Sequence, residues 1–219
     1  MRYYMIIFAV IVSFMISLGS SYAGTITFDG TGQGENSNVS NTFAGELNFI
    51  NALGLSGVTL DPFITFCLER GETISSGNTY SATLNTEAIE GGSGGPSPDP
   101  LGADTAWLYN EYLGGFSGGY SGDYAVDSNA DARLLQEAIW NLEGEDTGNL
   151  VTISNKYLTL ALNETYSNWS DIGNIRVLNL TQNGDNKQDV LAAVPLPGAV
   201  WLLGAGLCGL FGFRRKTRA

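Results

Sequence analysis

The pattern of apolar and polar residues changes twice along the chain. In the first 90 or so residues after an apolar start, apolar positions alternate with polar ones or form short runs bounded by Gly, Asn and Ser, which is typical of strands. Between about residues 103 and 163 they recur every three or four positions, which is typical of helices. Alternation then returns. This order predicts an α+β domain, mainly β and sandwich- or barrel-like, with a helical insertion.

The strands are expected at 25–29, 43–50, 64–69, 78–84, 175–180 and about 189–192. Two glycine-rich segments, 30–40 and 91–100, are expected to be loops, the second of them exposed. Asp104 is expected to cap one helix and Asn129 or Asp131 a second, because short polar side chains accept hydrogen bonds at helix N-termini. A short third helix is expected near 155–163.

The N-terminal segment has the layout of a secretory signal peptide. Arg2 precedes an apolar stretch at 6–18, and Ser21-Tyr22-Ala23 supplies small residues at the cleavage positions. We therefore expect residues 1–23 to be removed, with a retained membrane anchor as the alternative. The globular domain then spans 24–193.

The C-terminal segment, 194–219, combines a proline motif, an apolar run and a basic end. The stretch 194–213 carries no charge, and about 20 apolar residues are enough for a helix to span a bilayer core. We expect the transmembrane helix at 198–213, with the basic residues after it held in the cytoplasm. A soluble core or amphipathic helix is the alternative, but no face of this run is polar.

This tail resembles PEP-CTERM sorting signals, in the variant whose motif reads Val-Pro-Leu-Pro-Ala. The residues that carry the resemblance are Val194, Pro195, Leu196, Pro197, Gly198 in place of the usual Ala, and the basic Arg214, Arg215 and Lys216. The signal peptide predicts Sec-type export, and the apolar run with its basic end predicts a transient inner-membrane anchor with a cytoplasmic C-terminus. The resemblance implies cleavage by an exosortase-type membrane protease. It further implies a final place on the cell surface or in the extracellular matrix of a Gram-negative bacterium that makes exopolysaccharide.

Charge and composition narrow the function of the domain. All 22 acidic residues lie in 24–193, against five basic ones, which gives this part a net charge of −17. Such a surface repels phosphate backbones, so we expect no nucleic-acid partner. The chain has no histidine, which excludes Ser-His-Asp and Cys-His catalysis and most zinc sites. We expect no enzyme activity, no catalytic residue, no resident metal and no cofactor.

Weaker alternatives remain open. The pairs Asp99/Asp104 and Asp185/Asp189 could bind calcium weakly. A glycoside hydrolase with two carboxylates is another alternative, although no spacing singles out a pair.

Cys67 and Gln136 are the candidate functional residues of the domain. Cys208 lies in the tail, so Cys67 is the lone cysteine of the mature domain and cannot form a disulfide within it. It stands in Phe66-Cys67-Leu68-Glu69 on a predicted strand, and Gln136 stands in 135–140 on a predicted helix.

These two motifs resemble those of bacterial surface thioester domains, in which a strand Cys bonds to a helix Gln. The resemblance implies an internal acyl thioester that captures an amine or hydroxyl on a partner surface. The 106–109 segment resembles the helix that lies between the two motifs in such domains. Trp140, one helical turn from Gln136, could cover the site, with an ordinary core position as the alternative.

Simpler interpretations stay open at this point. Cys67 can be a buried thiol, Gln136 a solvent-facing helix residue, and the fold can be shared without the bond. Glu69 and Glu137 are expected at the surface, with a place as polar neighbours of the site as the alternative. The leading hypothesis is an exported adhesin-like protein that attaches covalently; the alternative is a non-covalent structural or polysaccharide-binding matrix protein, and a hydrolase is third.

Overall fold

The computed structural model describes residues 23–36, 42–55, 63–116, 122–145, 155–163 and 169–194. Nearly all of the expected signal peptide, and all of the sorting tail after Val194, lie outside these residues. The signal peptide, the transmembrane helix and the sorting motif therefore stay predictions. Within the described part of the chain, no helix is both long and apolar enough to cross a membrane.

The domain is mainly β with a helical insertion, which confirms the predicted fold class. The strands are β1 (Ala23–Asn36), β2 (Phe43–Leu53), β3 (Phe63–Thr65), β4 (Thr79–Asn85), β5 (Glu87–Ala88), β6 (Asp99–Pro100), β7 (Ile175–Gln182), β8 (Asp185–Asn186) and β9 (Val190–Ala193). The helices among the described residues are α1 (Ala103–Leu113), α2 (Asn129–Leu142) and α3 (Lys156–Ala161).

One antiparallel sheet carries the strands in the order β3-β2-β1-β4-β7, and both β8 and β9 pair with β7. The chain just after β3 then meets β9. The backbone N–H of Leu68 donates to the Asp189 carbonyl at 2.9 Å, and the N–H of Leu191 donates to the Phe66 carbonyl at 3.3 Å. We call these two segments, 66–68 and 189–191, the closing seam, because their pairing brings the sheet close to a closed barrel.

The sheet separates two apolar clusters. The cluster on one face contains Ile26, Phe49, Tyr80, Leu180 and Val190 among others. The cluster on the other face joins the sheet to the helices, through residues such as Phe66, Leu68, Trp107, Leu135 and Leu191. The closing seam contributes side chains to both clusters, since alternate residues of a strand point to opposite faces.

Two predicted strand boundaries were wrong. The segment 30–36, expected to begin a loop, continues β1 and pairs with β2. Gly34 faces Gly45 across this pair, and a Cβ on Gly45 would lie 2.3 Å from the Gln33 carbonyl oxygen. The glycines therefore serve a close approach of two strands and not a turn. The strand expected over 64–69 is also shorter, because pairing with β2 ends at Thr65.

The helix caps and the second loop also differ from expectation. Ser128 caps α2, its Oγ accepting from the backbone N–H of Asp131 at 3.2 Å, and Asp131 lies in the first turn. At α1 the capping residue is Gly102, whose N–H donates to a carboxylate oxygen of Glu143 at 3.2 Å. In the segment expected to be an exposed loop, the last two residues form β6. The expected third helix is present and begins after Asn155.

Candidate functional site

Cys67 lies in the closing seam, opposite Val190. Its neighbours Phe66 and Leu68 are fully buried against the helices, whereas Cys67 packs at the margin of the other cluster and is partly exposed. The hydrogen bonds of the seam belong to residues 66 and 68 and not to Cys67. The backbone N–H and C=O of Cys67 therefore face away from β9. They face the side on which β2 pairs with β3 as far as Thr65 but no longer pairs with Cys67.

The side-chain amide of Gln136 fills that side. The N–H of Cys67 donates to Gln136 Oε1 at 2.9 Å, and Gln136 Nε2 donates to the Cys67 carbonyl at 2.8 Å. The amide thus takes the place of a neighbouring strand and satisfies two backbone groups that would otherwise lack partners in the protein interior. Gln136 is 0 % exposed, so the interpretation of this residue as solvent-facing is wrong.

Most residues of helix α2 around Gln136 are buried, and α2 packs against β1 and β2. One turn earlier, the Arg133 guanidinium contacts the Glu137 carboxylate at 2.7 Å and the Glu35 carboxylate of β1 at 2.7 Å. Glu137 is 1 % exposed, so its expected surface position is wrong. This ion pair fixes α2 to the sheet next to the Gln136 amide.

Replacing Arg133 with Ala should destabilise the domain strongly. The substitution leaves the buried Glu137 carboxylate without this guanidinium, and removal of one partner of a buried ion pair costs roughly 3 kcal/mol or more. Urea unfolding of Arg133→Ala measures the loss. The control is Arg133→Met with Glu137→Leu, which removes both charges and should recover most of the stability; a stable single variant would contradict this role of the ion pair.

Burial shapes the electrostatics around Cys67. Burial of the thiol, followed by the negative charge of Glu72, raises the pKa of Cys67 to about 12. Burial also raises the pKa of Glu69 to about 9, that of Glu72 to about 7 and that of Asp189 to about 6, with mutual repulsion adding to the first two. Glu69 is 1 % exposed, so its expected surface position is wrong as well.

Glu69, Glu72 and Asp189 form a carboxylate cluster beside the seam. One ligand atom from each lies within 4.8 Å of the others, which is a spacing that could hold a metal ion. Sequence reasoning considered Asp189 only as a partner of Asp185, but Asp185 is exposed and contacts Lys187 at 3.8 Å. The spacing Glu69-x-x-Glu72 two residues after Cys67 is visible in the sequence, whereas the approach of Asp189 depends on barrel closure.

The other residues singled out from the sequence have packing roles. Trp140 is buried, and its ring N–H has no hydrogen-bond partner within the part of the chain that the structure describes. Tyr109 and Phe116 are buried in the apolar cluster that joins the sheet to the helices, and the partly buried Tyr112 and Tyr124 pack against it. Asp131 contacts Lys156 at 2.6 Å. The sorting-motif residues from Pro195 to Gly198, and Arg214, Arg215 and Lys216, lie outside the described residues.

The comparisons with known proteins gave one structural similarity. No protein-family model matches the sequence, and no curated protein matches it. The structure is similar to the N-terminal thioester domain of a surface protein from Clostridium perfringens, with 12 % identity and a TM-score of 0.46, over 78 % of this chain and 97 % of that one. By either measure this similarity is too low to establish a shared family or function.

Proposed function

We propose that Cys67 and Gln136 form an internal thioester, and that the protein uses it to attach covalently to an amine or hydroxyl on a partner surface. The observation that carries the proposal is the reciprocal hydrogen-bonded pair between the Gln136 amide and the Cys67 backbone, at 2.9 and 2.8 Å. This pair holds a fully buried acyl donor against the residue that bears the lone thiol of the described residues.

Bond formation is an acyl transfer. The Cys67 sulfur attacks the amide carbon of Gln136, the S–C bond forms, the bond from that carbon to Nε2 breaks, and the thiol proton leaves with Nε2 as ammonia. In the second step, a partner amine or hydroxyl attacks the same carbon. An amide or ester then joins the partner to the Gln136 side chain, and the Cys67 thiol is regenerated.

The Cys67 backbone N–H supports both steps. Negative charge develops on Oε1 when the amide carbon becomes tetrahedral, and this N–H already donates to Oε1 in the starting arrangement. A donor that is in place before the reaction requires no reorganisation when the charge appears. The N–H also polarises the acyl carbonyl of the finished thioester.

The high pKa of Cys67 favours a long-lived thioester. A thiol leaves more slowly as its pKa rises, and burial raises this one to about 12. Water reaching the site therefore displaces sulfur slowly. Capture depends on a nucleophile held at the partly exposed edge of the seam.

The sorting route is the second part of the proposal. The N-terminal segment 1–23 supports Sec-type export. The tail residues Val194 to Gly198 and the basic end support exosortase-type cleavage and placement on the surface or in the matrix of a Gram-negative bacterium. The acidic domain suits partners that present amines, because a negative surface attracts ammonium groups. Exopolysaccharide hydroxyls are the other partner class.

Methylamine provides the test. In the purified full chain, methylamine should add once, at Gln136, and one thiol should become titratable at the same rate. Cys67→Ala is the control and should take up none. If a thiol reagent already modifies Cys67 in the untreated protein and no methylamine adds, attachment through this pair is excluded and the non-covalent matrix protein becomes the better interpretation. Peptide mapping assigns the modified thiol to Cys67 and not to Cys208 of the tail.

A further inference from the structure

We propose that Glu69, Glu72 and Asp189 form a calcium-binding site that ties the two segments of the closing seam together. Glu69 and Glu72 come just after the 66–68 segment, and Asp189 begins the 189–191 segment. The site is separate from the Cys67–Gln136 pair, and its existence does not depend on the thioester.

The first observation is the convergence of three carboxylates. One oxygen from each of the three side chains lies within 4.8 Å of the others. Calcium takes six to eight oxygen ligands, with carboxylates binding through one or both oxygens, so a cation between these groups replaces repulsion with attraction. Hard oxygen donors without histidine or thiolate favour calcium over transition metals.

The second observation is the state of Glu69. Glu69 is 1 % exposed, and neither of its carboxylate oxygens has a hydrogen-bond partner among the described residues. A buried carboxylate without donors is costly, and such groups in proteins are paired, protonated or bound to a metal. Its backbone is anchored, since Gln188 Nε2 donates to the Glu69 carbonyl at 2.7 Å, so the side chain is held in the cluster.

The contacts of the other two carboxylates orient them without using all their acceptor capacity. The Asp189 oxygens accept from the N–H of Ile89 at 2.7 Å and of Leu180 at 3.3 Å. Glu72 Oε2 accepts from the N–H of Asp189 at 3.0 Å. Each carboxylate oxygen has two lone pairs, so these donors leave positions for a cation. Glu69 can supply both oxygens, and water completes the shell.

A cation here would link positions 69 and 72 to position 189, across the seam whose own hydrogen bonds join Leu68 to Asp189 and Leu191 to Phe66. Barrel closure and the position of Cys67 would then depend on calcium concentration. Three carboxylates with a shell completed by water suit the weak, extracellular class of calcium site, with dissociation constants of about 10⁻⁴–10⁻³ M.

The experiment is a calcium titration of the full chain by calorimetry, with thermal unfolding in EDTA and in about 5 mM calcium as a second readout. We expect one calcium bound per chain and a rise in Tm of a few degrees. Glu69→Gln should weaken calcium binding on the order of tenfold or more and abolish the rise in Tm. Glu90→Gln removes an exposed carboxylate near the cluster and is the matched control; it should leave both results nearly unchanged.

Several results would overturn the site. One is a wild-type protein that neither binds calcium nor shifts in Tm. Another is calcium binding that survives in Glu69→Gln, or falls equally in Glu90→Gln. A Glu69→Gln variant about as stable as a calcium-insensitive wild type would show that Glu69 is a neutral buried acid. If Glu69→Gln does not fold, calcium binding and Tm are measured instead for Glu72→Gln, which lies at a partly exposed position. The same outcomes then support or overturn the site.

Discussion

Cys67→Ala should abolish methylamine uptake and remove roughly 4 kcal/mol from the free energy of unfolding. The thioester would join residues 69 positions apart, and by analogy with disulfides a crosslink that closes a loop of this length stabilises by about 4 kcal/mol. The hydrogen bonds to Gln136 use the backbone of Cys67, so the substitution leaves them intact. The variant should therefore fold like an uncrosslinked wild type.

Methylamine treatment of the wild type supplies the matched comparison. It opens the thioester without changing the sequence, so treated wild type and Cys67→Ala should unfold at nearly the same urea concentration. Untreated wild type should unfold at a clearly higher one. A Cys67→Ala variant as stable as the untreated protein would show that no crosslink exists between these positions.

Gln136→Ala should be more destabilising than Cys67→Ala. Besides preventing the crosslink, it removes both hydrogen bonds that the intact Gln136 amide keeps to the residue 67 backbone in Cys67→Ala, and it empties a site that is 0 % exposed. The orphaned N–H and C=O of Cys67 and the cavity together cost about 3 kcal/mol or more. Comparing Cys67→Ala with the double variant Cys67→Ala/Gln136→Ala by urea unfolding isolates this cost from the crosslink.

In the Cys67→Ala background, Gln136→Glu is the control for side-chain volume. The glutamate keeps an oxygen that can accept from the backbone N–H of residue 67 but lacks the Nε2 donor. The stability of Cys67→Ala/Gln136→Glu should therefore lie between that of Cys67→Ala and that of Cys67→Ala/Gln136→Ala. A double variant with Gln136→Ala that loses under about 0.5 kcal/mol would contradict the role of this amide in the seam.

The fold class and the Cys67–Gln136 pair were predictable because both depend on local patterns. Alternation, helical spacing and two short motifs are visible within windows of a few residues. The structure brings the two residues of the candidate pair together, although the bond itself remains a prediction. Helix α3 was likewise predicted, and the structure shows that the Asn155 side chain caps it.

The errors come from long-range contacts that one sequence does not reveal. Glu137 is buried because Arg133 bridges it to Glu35, and Arg133 and Glu35 are 98 positions apart in the chain. Glu69 is buried because barrel closure brings Asp189 beside it. Strand β3 ends early because a side-chain amide replaces the neighbouring strand, and no local pattern predicts that exchange.

The most direct test of the thioester is the mass of the peptides that carry the two residues. After proteolysis of the purified protein, the Cys67 and Gln136 peptides should appear joined, with a mass about 17 Da below their sum, the mass of the ammonia lost. This measurement is independent of how the ends of the chain are processed. Separate peptides at full mass, with Cys67 alkylated by a thiol reagent under denaturing conditions, would contradict the thioester.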